Sequence, residues 1–126
     1  MGIFIADSDV FEMSFYVGDV DGYTTCFESE DEAKNKAKEY EKHSISFKKI
    51  NYGTQKKIQM AAMTESEGRF VFNPIKFRSE RFASSVKKWS FKDHAGNTVP
   101  VNNQTIDNLS EGVASFLLEL FDRRLT

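Results

Sequence analysis

The chain predicts an α+β fold: a small antiparallel N-terminal sheet with one packed helix over residues 1–50, then a helical part of about three helices over 51–126, together a single domain. Three observations predict it. Residues 10–28 are rich in aromatic and β-branched residues on either side of the turn sequence GDVDG; strong helix formers fill 31–43; and from residue 54 onward apolar residues recur at helical spacing. A chain of 126 residues suits one core and buries roughly two-thirds of its unfolded surface. Twelve Phe, four Tyr and one Trp supply the large apolar groups that such a core needs.

Residues 10–17, VFEMSFYV, and 23–28, YTTCFE, read as two strands, because Asp19, Asp21 and Gly22 between them are turn formers. Alternation puts Phe11, Met13, Phe15 and Val17 on one face, expected to be the buried one, and Val10, Glu12, Ser14 and Tyr16 on the other. The segment DEAKNKAKEYEKH predicts a helix with Ala33, Ala37 and Tyr40 as a thin apolar stripe lying on the sheet. Ser29 or Asp31 would cap it, which places the acidic run ESEDE at the positive end of the helix dipole. SISFKKI at 44–50 restores alternation and reads as a third strand. Asn51 to Gly53 then breaks the chain before a short helix carrying Ile58, Ala61 and Ala62, with Gly68 in TESEG as its stop.

Asn73 followed by Pro74 signals the next start, since the asparagine side chain can accept from free amides and proline has no N–H to leave unpaired. A helix over 74–89 is predicted, with Ile75, Phe82, Val86 and Trp89 along its apolar stripe. Trp89 to Leu109 is a connector, with a turn at DHAGN and the segment Val-Pro-Val. The final helix is the clearest: Leu109, Val113, Phe116, Leu117, Leu120 and Phe121 repeat at three or four residues, with Ser110 as cap and Arg123 and Arg124 against the negative dipole end.

Composition excludes several classes of function. Seventeen basic and nineteen acidic residues give a net charge of −2, so no global field favours phosphate and nucleic acid is not an expected partner. Lys48, Lys49, Lys56 and Lys57, and then Arg78, Arg81, Lys87, Lys88 and Lys92, form local basic runs that solvated helix faces explain. The single Cys26 can close no internal disulfide and reads as an inert strand thiol in a reducing compartment. The opening MGIFIADSD lacks a basic region, and its apolar run is too short for a signal peptide or membrane span. Gly2 suggests N-myristoylation, but Ala6 stands where that motif takes Ser or Thr.

No catalytic, cofactor or metal site is predicted. Asp19, Asp21, Gly22 and Glu28 fall at EF-hand spacing, yet Val17 occupies the first ligand position and the flanks read as strands, which favours a hairpin turn. His43 and His94 have no recognisable sequence partner for nucleophilic catalysis, and no phosphate loop or nucleophile elbow occurs. Phe77, Phe82, Trp89, Phe116 and Phe121 leave two readings open: they pack together in one core, or some of them line an apolar groove for a partner.

KKINYGTQKKIQ, the segment ending in VKKW, the turn FKDHAGNTVPV and TIDNLSEGVASFLLEL together resemble small tail assembly chaperones of long-tailed bacteriophages, over residues 47–121. The resemblance implies a non-enzymatic protein that binds the long helical tape-measure protein during tail morphogenesis in the host cytoplasm and helps tail-tube subunits polymerise around it. On that reading Ile75, Phe82, Val86, Trp89, Phe116 and Leu120 hold or line the groove, while Lys87 and Lys88 steer an acidic partner. The chain's end at DRRLT suits the shorter of the two forms that ribosomal frameshifting gives in that family, and equally suits an unrelated protein. The alternative is a structural virion subunit of neck, tail tube or baseplate, self-associating as a homo-oligomer and staying in the particle. A small regulatory binding domain unrelated to phage is the third reading.

Overall fold

The computed structural model describes residues 3–6 and 9–125. Its centre is β1 (Val10–Val20), which pairs antiparallel with β2 (Tyr23–Phe27) on one side and with β3 (Tyr40–Lys48) on the other. The β1–β2 hairpin turns through Asp21 and Gly22, both with positive φ, as a two-residue turn matched to strand twist requires. That turn geometry explains the aspartates at EF-hand spacing, and strands flank it in place of helices. Gly2, weighed above as an acylation site, lies outside the described residues.

The alternation of β1 decides the core. Phe15 is fully buried, and Phe11, Met13 and Val17 pack beside it with Ile45 and Phe47 of β3, as the sequence predicts. The opposite face of the sheet is covered at one end by α1 (Glu30–Lys36), whose Ala33 and Ala37 flank meets Phe27, Tyr16, Val20 and Tyr40. Ser29 caps α1 by accepting from the Glu32 amide at 3.2 Å. The helix is shorter than the sequence suggests. Helix formers continue to His43, but Ala37 is already extended and Tyr40 begins β3, because the long β1 offers a ladder as far as Gly18↔Tyr40. Pairing and packing override local propensity here.

Asn51 caps α2 (Tyr52–Ala61), accepting from Thr54 N–H at 2.8 Å. The sequence then departs from expectation. Gly68 does not end a helix; it forms the turn of a hairpin, β4 (Met63–Ser66) with β5 (Arg69–Phe72). Asn73 closes the base of this hairpin by donating its amide to the Ala62 carbonyl at 2.9 Å, and its side chain caps α3 (Pro74–Ser85) as expected.

The predicted helix over 74–89 ends at Ser85, and Val86 starts β6 (Val86–Trp89), a fourth strand on the main sheet in the order β2-β1-β3-β6. The supposed helical part is therefore mixed: it donates a strand to the N-terminal sheet and builds a separate two-stranded one. Beyond β6 the connector folds back. Asp93 Oδ1 accepts from the amides of Ala95 and Asn97, and Trp89 Nε1–H donates to the Val99 carbonyl at 2.7 Å. Val99 and Val101 thereby turn toward the core while Pro100 faces out. A short α4 (Asn103–Asp107), capped by Asn102 and Thr105 reciprocally, leads to α5 (Glu111–Leu125). α5 lays Val113, Leu117 and Phe121 on the sheet, where the rings of Phe47, Phe82 and Phe121 lie within 6 Å of one another. Ion pairs Arg78–Asp122 and Arg123–Glu28 tie α5 to α3 and to the end of β2, so Arg123 does more than face the helix dipole.

Candidate functional site: an exposed apolar ribbon

The residues singled out for a groove are not gathered into one. Phe82, Val86 and Trp89 lie in the main core cluster, Phe116 packs on it with its ring 5.8 Å from Phe15, and Leu120 is buried on the same helix. Of the apolar residues in that set only Ile75, 78% exposed in the first turn of α3, is open to a partner. The cause is β6: as a strand of the main sheet it carries Val86 and Trp89 into the core cluster, where Phe82, Phe116 and Phe121 also pack, whereas Phe77 lies outside that cluster against the ring of Phe72. Lys87 and Lys88 are exposed on this edge strand, where lysines discourage pairing with another sheet.

His43 does have partners that sequence inspection missed. Its Nδ1 is 3.1 Å from Ser90 Oγ and its Nε2 is 3.3 Å from Glu41. The same hydroxyl accepts the Ser44 amide at 2.8 Å, and Ser90 N–H donates to the Ser44 carbonyl at 3.0 Å. This continues the β3–β6 ladder by one pair, and the hydroxyl acts as a clamp between strands. His94 is exposed in the connector turn. Cys26 faces the core side of β2, and burial pushes its thiol up to about 11, which keeps it protonated and unreactive near neutral pH. Among the described residues no group of three His, Cys, Asp or Glu side chains is placed to hold a metal ion. No helix among them is long and apolar enough to cross a membrane.

The feature that stands out is the β4–β5 ribbon. Every residue in both strands is exposed, although Met63, Phe70, Val71 and Phe72 are large and apolar. The register pairs Met63 with Phe72 and Glu65 with Phe70, so these four share one face; Thr64, Val71, Ser66 and Arg69 share the other. The first face is continuous with the body of the protein. Phe72 stacks near Phe77 of α3 at 5.4 Å, and Met63 and Phe72 join Lys56, Gln59 and Met60 of α2 around a cleft of about 450 Å³. At the far end Phe70 stands 73% exposed. Two short strands alone are marginal in water, so this ribbon is held by the α2 and α3 ends that it joins. A larger cavity, about 670 Å³ beside the β1–β2 turn, is lined by charges of both signs, including Asp19, Lys38, Glu39 and Glu41, with no converging set.

The sequence held a signal for this site. Met63 and Glu65 alternate before Glu67-Gly68, and RFVF follows, which is a hairpin pattern with an uncommon turn residue. Comparison with known protein families, characterised proteins and solved structures finds no match to this chain.

Proposed function

We propose that this chain is a non-enzymatic tail assembly chaperone of a long-tailed phage, binding the tape-measure protein while the tail is built in the host cytoplasm. The observation that carries the reading is the apolar face formed by Met60, Met63, Phe70 and Phe72. It remains open although the chain has many other aromatics buried in a formed core, and contiguous exposed apolar surface rimmed by charge is the mark of a protein-binding site. A helical tape-measure protein exposes apolar stripes before the tube closes around it, and a Met-lined cleft can adapt to many successive positions along such a helix. The resemblance over residues 47–121 supports the same reading. The contact residues are then those of the ribbon and α2, together with Ile75, in place of the buried Phe82, Val86, Trp89 and Leu120.

The test is co-expression with the tape-measure protein. The wild-type chain should co-purify with it and raise its soluble yield, Phe70→Asp should lose both effects while remaining folded, and mass spectrometry should find the chain missing from finished virions. A second reading, a structural virion subunit, draws support from the free outer edges of β4 and β5, which pair only with each other among the described residues. Stoichiometric presence in purified particles would select it and refute the chaperone.

A further inference from the structure

The ribbon face carries a knob, a hole and a charge of each sign, arranged so that one copy of the face complements another. Phe70 is the knob, at the tip of the hairpin. The hole is the cleft at its base, lined by Lys56, Gln59, Met60, Met63 and Phe72. Phe70 and Phe72 lie two residues apart along β5, so knob and hole are about 7 Å from each other on one face. Glu65 sits directly across from the knob, and Lys56 lines the hole. Among the described residues Glu65 has no ion-pair partner in its own chain, and Lys56 reaches only over the Tyr52 ring, at 5.4 Å.

We propose that the occupant of this face is a second copy of the chain, in an isologous dimer whose two-fold axis lies in the interface and crosses the strands. Such an axis reverses strand direction between the copies. The tip of each ribbon then lies over the base of the other: Phe70 enters the cleft against Phe72 of the second copy, and Glu65 comes beside Lys56 of the second copy. A two-fold repeats every contact, so one complementary arrangement supplies two apolar insertions and two ion pairs. A lone ribbon face is small beside a standard interface, so the dimer is a weak one that forms as concentration rises. It needs only copies of this chain and does not rest on the tape-measure reading. Where that reading also holds, the second copy covers the face until a client displaces it.

The alternative occupant of like geometry, an unrelated amphipathic helix, does not account for the charge placement: a helix needs no Glu at the knob and Lys at the hole. The test is sedimentation velocity of the isolated chain over a concentration series, with urea unfolding of each variant to verify its fold. The wild type should pass from monomer to dimer. Phe70→Asp should weaken association at least about tenfold, the equivalent of about 1.4 kcal/mol. K56E and E65K should each weaken it, because each places two like charges in contact across the axis, whereas the double variant K56E/E65K should return to within about threefold of wild type, since coupled residues depart from additivity. A wild-type chain that stays monomeric at every concentration overturns the proposal. So does a dimer that survives F70D, or a double variant no better than either single one. Failure here leaves client binding to its own co-purification test, and loss of client binding leaves this equilibrium measurable, so the two fail separately.

Discussion

Replacing Trp89 by alanine removes the side chain on which β6 and the connector both depend. The indole is 6% exposed, sits across from Ile45 in the β3–β6 ladder, lies 5.2 Å from the Phe91 ring, and donates to the Val99 carbonyl. Truncating a buried aromatic to alanine costs about 3–5 kcal/mol, the sum of lost transfer energy and the cavity left behind. The hydrogen bond accounts for only about 0.5–1.5 kcal/mol of that. Trp89→Phe separates the two contributions, because it keeps most of the ring contacts and deletes the N–H. The expected costs are therefore about 1–2 kcal/mol for Phe and about 4 kcal/mol for Ala, against a total stability on the order of 5–15 kcal/mol. With an m-value of about 2 kcal/mol/M, the alanine variant should unfold at roughly 2 M less urea. Trp89 is the sole tryptophan, so far-UV circular dichroism must follow the transition in place of intrinsic fluorescence. An alanine variant within about 1 kcal/mol of wild type would refute the placement of this ring in the core. Equal losses for Phe and Ala would refute the ranking of packing above the hydrogen bond.

Gly18→Ala should destabilise by about 1–3 kcal/mol in the same assay, since a Cβ there would stand 2.7 Å from Ala37 Cβ and 2.9 Å from the Glu39 carbonyl oxygen, and α1 would have to move off the sheet. Glu67→Asn should stabilise by about 0.5–1 kcal/mol: Glu67 has φ 53° in a two-residue turn before Gly68, a conformation that asparagine tolerates better than glutamate. An unchanged or lowered midpoint would count against the turn. For Cys26, the folded chain holds its thiol proton beyond the ordinary 9.0, up to about 11, so its contribution is full below about 9 and is lost as pH rises toward 11. The stability gap between wild type and Cys26→Ala should therefore narrow between pH 9 and 11, and native Cys26 should react with iodoacetamide at pH 8 far more slowly than in urea. Equal labelling rates in the two states would show the thiol to be exposed.

Over residues 74–89 the apolar spacing predicts one helix, whereas the chain is helical to Ser85 and extended from Val86 to Trp89. Val86 and Trp89 are three apart, as on a helix. In the sheet they achieve that spacing through a bulge: Val86 faces Phe47, Lys88 faces Ser46 and Trp89 faces Ile45, so Lys87 is an extra residue in β6. A bulge in a strand and a turn of helix both bring residues i and i+3 to one side, and a single short segment cannot distinguish them. The ribbon is hidden in the sequence for a different reason. Asp21-Gly22 announces its turn in the favoured residue types, whereas Glu67-Gly68 uses a residue that rarely takes positive φ, and Glu67 in a polar run reads as a helix end. Apolar periodicity consequently points to Phe82, Val86, Trp89, Phe116 and Leu120, which the core takes up, as readily as to Ile75, which stays in solvent.

By itself the sequence determined the α+β class, the β1–β2 hairpin with its turn, the inward face of β1, the cap at Asn73 and, as one of two candidates, that at Ser29, and most of the last helix, because each rests on local chemistry: alternation, positive-φ turn residues, side chains that accept free amides, and a long periodic stripe. Only tertiary structure decided where α1 stops, that 86–89 joins the main sheet, and which apolar residues stay in solvent. Those outcomes depend on competition between distant segments for strand edges and core volume. Phe82 and Phe70 are the same residue type; β3 and α5 close over the first, and none of the described residues covers the second.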